Sequence, residues 1–137
     1  MKLFGLMVLL SLTSAADISP FALNIWNDLI KDFHDECVAI SNANPEQAKS
    51  IVRDIAVLKD RSVHCYLKCL YEKIDFLLPN GEFNKNDVVY EAHHLGIEGS
   101  KKCAADANPE KDVCTKAYIF GKCVVDMLVT QHKSNSG

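Results

Sequence analysis

Apolar residues recur along most of this chain at spacings of three and four, the period of an α-helix. Sustained alternation is missing, so strands are not expected. Ser19-Pro20 reads as N-cap and first residue of the opening helix. Ala22, Ile25, Trp26, Leu29, Ile30, Phe33, Cys37 and Ile40 follow as its apolar stripe. Asn44-Pro45-Glu46-Gln47 repeats the start signal, with Gln47 placed for a capping box, and this second helix breaks near Lys59 or Asp60. A third helix is expected from about Ser62 to Leu78, through Cys65, Leu67, Cys69, Leu70, Tyr71, Ile74 and Leu77. Pro79-Asn80-Gly81 supplies turn residues to stop it. Asn86 caps a fourth, through Val88 to Leu95, ended by Gly96. A fifth starts at Gly99 or Ser100 around Cys103, and Asn108-Pro109 opens a sixth that runs to about Thr130. Lys133 to Gly137 reads as a disordered tail.

The sixth helix carries the most information. From Val113 to Val129 it leaves almost no polar face, which marks a helix buried by its neighbours. Its two cysteines, Cys114 and Cys123, are nine residues apart. At about 100° per residue they point to opposite sides, so this helix is expected to be tethered on both flanks. Cys65 and Cys69 are four apart and share one face of the third helix. A bond between them would constrain little, and bridges from that face to two other helices are the better use.

The start of the chain changes the picture of where the protein works. Lys2, an apolar run from Leu3 to Leu12 and the small residues Ser14, Ala15 and Ala16 read as a signal peptide over residues 1–16. The run is too short to span a bilayer, and no later segment reaches the roughly 18 apolar residues that spanning needs. Residues 1–16 hold one lysine and no acid, so 14 of the 15 basic residues remain against 18 acidic ones, a net charge of −4. An acidic chain with no basic cluster is a poor nucleic-acid binder. All six cysteines lie after residue 16. An even count in an exported domain points to three disulfides. Zinc sites favour two tight cysteine pairs, and only Cys65 and Cys69 are close here. Spacing alone leaves all fifteen pairings of six cysteines open.

The cysteines follow C-x27-C-x3-C-x33-C-x10-C-x8-C, which resembles the six-cysteine insect odorant-binding protein family, pheromone-binding members included. Asp112-Val113-Cys114-Thr115-Lys116-Ala117-Tyr118 followed by Cys123 is similar to that family's last helix. Leu77 to Asn86, with Asn80-Gly81-Glu82-Phe83, is similar to its loop after the third helix. The x33 interval is slightly short, which bears on the length of the fourth helix and its loop. The resemblance implies an all-α fold over residues 17–132, about six short helices stapled by three disulfides around an internal apolar cavity. It implies the pairs Cys37–Cys69, Cys65–Cys114 and Cys103–Cys123. The helical reading agrees: Cys65 and Cys69 go to different helices, and Cys114 and Cys123 leave the sixth on opposite sides. The function implied is a secreted, extracellular carrier that binds and solubilises small hydrophobic molecules such as odorants or pheromones. It would be no enzyme, and would need neither metal nor cofactor.

The facing stripes suggest the cavity lining: Trp26, Ile30 and Phe33 from the first helix, and Leu67, Tyr71 and Ile74 from the third. Phe76 and Phe83 lie near the loop that would gate entry, and Ala117, Phe120, Val124 and Leu128 share a face of the sixth. The resemblance favours Ile30, Leu67, Tyr71, Phe120 and Val124, and Tyr71 is the expected hydrogen-bond donor to a ligand. His93 and His94, beside the supposed entrance, suggest a pH-dependent release. Phe33-His34-Asp35-Glu36-Cys37 is similar to the His-Asp pair of secreted phospholipases, but no glycine-rich calcium loop precedes it, and it reads as an exposed pair on a helix flank. There is no Gly-x-Ser-x-Gly elbow, His-Glu-x-x-His zinc motif or P-loop. The rival reading is a secreted interaction protein of venom or salivary type on the same scaffold. A membrane receptor or a homodimer stays open as a further partner.

Overall fold

The computed structural model describes residues 20–51, 59–92 and 95–136, without the side chains of residues 22 and 131–136. The signal segment, the Ser19 cap and the His93-His94 pair lie outside the described residues. Six helices follow one another: α1 Pro20–Ser41, α2 Pro45–Lys49, α3 Arg61–Lys73, α4 Asp87–Glu91, α5 Ile97–Ala107 and α6 Val113–Ser136. Among the described residues there is no strand, only an isolated antiparallel bridge between Leu77 and Phe83. The fold is all-α.

The helix ends show where local chemistry decides and where packing overrides it. Asn42 ends α1 in the left-handed region (φ 63°), a conformation asparagine tolerates. Asn44 caps α2 as the sequence indicates: its Oδ1 accepts from the Glu46 and Gln47 amides at 2.9 and 3.1 Å. Asn86 caps α4 the same way, through the Val88 amide at 3.0 Å. That helix stops at Glu91 rather than Leu95, and the Leu95 amide turns back to the Tyr90 carbonyl at 3.0 Å.

The third helix is shorter than its apolar run. It closes at Lys73, and Asp75 takes φ 66°. The Phe76 and Leu77 amides both return to the Tyr71 carbonyl, at 2.8 and 3.1 Å. The run Phe76-Leu77-Leu78 then folds back as a tight hairpin, in which Leu78 donates to Glu82 at 2.9 Å and Asn84 to Phe76 at 2.8 Å. Pro79-Asn80-Gly81 forms its tip, with Gly81 at φ 85°. Folding back buries Phe76, Leu77 and Phe83 together.

Asn108-Pro109 ends α5 instead of opening α6. Asn108 is its C-cap, and a proline just beyond cannot continue the helix. The cap of α6 is Asp112, whose Oδ1 accepts from the Cys114 and Thr115 amides at 3.0 and 3.3 Å. α6 also runs past Thr130 to Ser136, through most of the segment read as a disordered tail. No glycine or proline interrupts residues 131–136, so nothing in the chain stops the helix there.

Three pairs of helices pack extensively, α1 on α3, α3 on α6 and α5 on α6. The same three pairs carry the disulfides Cys37–Cys69, Cys65–Cys114 and Cys103–Cys123. This is the pairing the cysteine spacing implied by resemblance. The bridges span 32, 49 and 20 positions of sequence. In the chain-entropy account each such closure contributes roughly 3–4 kcal/mol, large beside a typical domain stability of about 5–15 kcal/mol. Covalent attachment of each packed pair lets the core keep a void that would weaken an uncrosslinked bundle.

Candidate functional site: an apolar cavity

The void lies where α1, α3 and α6 face one another. Its volume is about 70 Å³. α1 contributes Trp26, Leu29, Ile30 and Phe33, and α3 contributes Leu67, Leu70 and Tyr71, followed by Ile74 and Phe76. α6 contributes Phe120, Gly121, Val124 and Val125, and Ile51 and Leu95 complete the wall. On each long helix the spacing is three or four, so one stripe per helix turns inward. No Asp, Glu, Lys, Arg or His belongs to the lining among the described residues.

Nine of the twelve residues singled out from sequence therefore meet at the void: Trp26, Ile30, Phe33, Leu67, Tyr71, Ile74, Phe76, Phe120 and Val124. The other three do not line it. Phe83 stands behind Phe120, its ring stacked at 4.6 Å. Ala117 is fully buried in the core one turn before Phe120, and Leu128 packs on the core one turn beyond Val124. Sequence reasoning missed Leu29, Leu70, Val125, Gly121, Ile51 and Leu95. Leu29 and Leu70 could have been found, since each lies three residues from an identified liner on the same stripe. Ile51 and Leu95 sit outside the long helices, where no periodicity points inward.

Aromatic rings build the floor. Phe120 is the hub, with ring centroids at 4.6 Å to Phe83, 5.5 Å to Tyr71, 6.1 Å to Phe76 and 6.5 Å to Tyr90. A residue the sequence reading passed over holds this floor in place. Lys116, one turn before Phe120, is only 8% exposed, and its Nζ donates to the Gly81 carbonyl at 3.0 Å across the hairpin tip. A Cβ at Gly81 would come within 3.1 Å of Val113 Cγ2, so the tip also rests closely on the start of α6.

The buried tyrosines differ in one respect. Tyr66 bonds His34, hydroxyl to Nδ1 at 2.8 Å, and Tyr90 donates to the Asn84 carbonyl at 2.5 Å. Tyr71 lies on the cavity wall. Burial, with the Asp35 charge second, pushes the Tyr66 phenol up to about 12. Burial and then Asp87 do the same for Tyr90, also to about 12. Burial alone raises the Tyr71 phenol well above the ordinary range. His34 is buried rather than exposed as read from sequence, turned inward to Tyr66, while Asp35 stays at the surface.

A small helical domain whose crosslinked helices line an apolar cavity has the build of a small-ligand binding protein. Residues 26–126 match the PBP/GOBP family, and the chain belongs to that family. General odorant-binding protein 99b of Drosophila melanogaster is 24% identical over 114 residues, covering 75% of this chain and 76% of its own length. The crystal structure of a pheromone-binding protein from the cockroach Leucophaea maderae, in complex with the fluorescent reporter ANS, superimposes with a TM-score of 0.63 at 20% identity. It covers 80% of this chain and 98% of the cockroach chain. That likeness concerns the fold.

Proposed function

We propose that the protein is a secreted carrier that takes up small hydrophobic molecules such as odorants or pheromones and keeps them in solution in extracellular fluid, without catalysing a reaction. The observation that carries the reading is the apolar cavity between α1, α3 and α6, whose described lining is free of charge. An apolar guest gains about 0.8 kcal/mol per buried methylene, so a chain of about ten carbons gains about 8 kcal/mol before association and ordering costs. At about 70 Å³ the void is roughly half the ~150 Å³ of a cavity that holds benzene. Uptake of such a guest therefore displaces lining side chains. Trp26, Leu29, Ile30, Phe33, Tyr71 and Ile74 are the half-buried residues of the wall, and the displacement falls on them. The three disulfides keep that adjustment from becoming unfolding, and they suit an oxidising extracellular setting.

Displacement of a neutral fluorescent probe tests the reading. Volatile or fatty compounds at micromolar concentration are expected to displace the probe from the wild-type protein. Val124→Phe, which fills the void, is expected to lose probe binding while keeping its helical circular dichroism. No probe uptake by the wild-type protein, or uptake unaltered in Val124→Phe, would contradict a carrier cavity. Export is tested by the mass of protein recovered from the medium of a secreting host: a chain beginning at Asp17 is expected, and retention of residues 1–16 would refute it.

A further inference from the structure

Asn80-Gly81 is the chain's one Asn-Gly sequence. Glycine has no side chain to screen its amide nitrogen and lets the backbone turn freely. An asparagine carboxamide is therefore most readily attacked by the following amide when glycine comes next. Here Asn80 is exposed at the hairpin tip, whereas Gly81 is buried against the start of α6.

In the closed tip both reacting groups are engaged elsewhere. The Gly81 amide donates to the Leu78 carbonyl at 2.9 Å. The Asn80 side chain turns to Glu82, its Oδ1 accepting from the Glu82 amide at 2.9 Å and its Nδ2 donating to Oε2 at 3.3 Å. The buried Lys116 holds the tip to α6 through the Gly81 carbonyl at 3.0 Å.

We infer that Asn80 is a site of spontaneous modification, and that opening of the tip held by Lys116 sets its rate. In the open tip the Gly81 nitrogen attacks the Asn80 carboxamide carbon and gives up its proton. The new C–N bond closes a cyclic imide, the bond to Nδ2 breaks, and ammonia leaves. Water then opens the ring at either carbonyl, giving aspartate or isoaspartate at position 80. Either product is an acid beside Glu82, where the neutral carboxamide donated a hydrogen bond. Like charges that close repel, and the donor is gone. Isoaspartate also routes the backbone through an extra methylene, which breaks the register of the Leu78–Glu82 and Gly81–Leu78 hydrogen bonds. The modified tip stays loose, and it belongs to the segment that brings Phe76, Leu77 and Phe83 into the core. The change runs one way over the lifetime of the protein.

The test holds the exported protein at neutral pH and scores hairpin peptides by mass spectrometry for acid and isoaspartate at Asn80 and Asn84. Asn80 is expected to convert well ahead of Asn84. Lys116→Met removes a charged donor, and the larger open fraction is expected to raise the Asn80 rate about tenfold or more. Aged wild-type protein is expected to exchange the Leu78 and Asn84 amides faster than fresh protein, and Asn80→Gln, aged alike, to show no such change. Should Lys116→Met unfold, or leave Leu78 exchange unaltered, guanidinium below the wild-type unfolding midpoint opens the tip in its place. Asn80 converting no faster than Asn84, or at an unaltered rate when the tip is opened, would overturn the inference. So would converted protein whose Leu78 and Asn84 amides exchange as in fresh protein.

Discussion

Phe120 joins α6, the hairpin after α3 and the cavity floor, so Phe120→Ala probes all three at once. The side chain is 1% exposed. Truncating a buried phenylalanine costs about 3–5 kcal/mol, and each 40 Å³ of void that fails to collapse adds about 1 kcal/mol of that. The ring pairs with Phe83, Tyr71, Phe76 and Tyr90 at centroid distances from 4.6 to 6.5 Å. Favourable aromatic pairs contribute about 0.5–1.5 kcal/mol beyond area burial. The backbone here is pinned by Cys65–Cys114 and Cys103–Cys123, so collapse is restricted and the loss falls in the upper half of the range, about 4–5 kcal/mol. The assay is guanidinium unfolding with the disulfides intact, extrapolated linearly to water. The lost ring also merges with the existing void, so benzene is expected to raise the variant's unfolding midpoint more than the wild-type one. A loss below about 1 kcal/mol, or a benzene response smaller in the variant, would refute the placement of Phe120 on the cavity wall.

Other outcomes follow from the same geometry. Replacing both Cys65 and Cys114 by serine opens the longest closure, 49 positions apart, and is expected to cost about 4 kcal/mol, read from the same unfolding curves. Lys116→Met removes the donor to the Gly81 carbonyl. Amide exchange at Leu78 and Asn84 is expected to speed up before that of α3, and uniform acceleration across the protein would count against a local latch. The Tyr66 phenol is raised to about 12 by burial and then Asp35, against about 10 in the unfolded chain. Its contribution to stability is therefore complete below about pH 10 and is lost as pH climbs towards about 12. Absorbance at 295 nm should show Tyr66, Tyr71 and Tyr90 ionising above the ordinary phenol range, and all three titrating near pH 10 would contradict their burial. Gly81→Val combines a left-handed backbone (φ 85°) with contact on Val113 and is expected to destabilise the hairpin, seen as a lowered melting temperature.

Helix starts were legible wherever period and cap agreed, while the second and fourth helices end early, at Lys49 and Glu91. The stripes of α1 and α6 and the asparagine caps of α2 and α4 stand where residue chemistry puts them, because each is settled within one or two turns of chain. The end of α3 was not legible. Ile74-Asp75-Phe76-Leu77-Leu78 continues an apolar pattern, and the contacts that hold the chain folded back at Asp75 come from Tyr90, Lys116 and Phe120, well outside that window. Asn108-Pro109 carries a start signal and a stop signal at once. The stop applies: Asn108 closes α5, and Asp112 caps α6 instead. For the cavity, stripes on α1, α3 and α6 located the centre of the wall, and the spacing of Trp26, Ile30 and Phe33 survives intact. Ile51 and Leu95 escaped notice because they reach the void from outside the long helices. Phe83, Ala117 and Leu128 were placed one layer off, since sequence separates apolar from polar faces but not the first layer of an apolar face from the second.

A crystal structure of the exported protein soaked with a brominated alkyl ketone, its bromine located by anomalous scattering, addresses the apolar cavity directly. The bromine is expected between Trp26, Phe33, Tyr71 and Phe120. Bromine found only at the protein surface, or an unaltered void about the size it has here, would contradict the account.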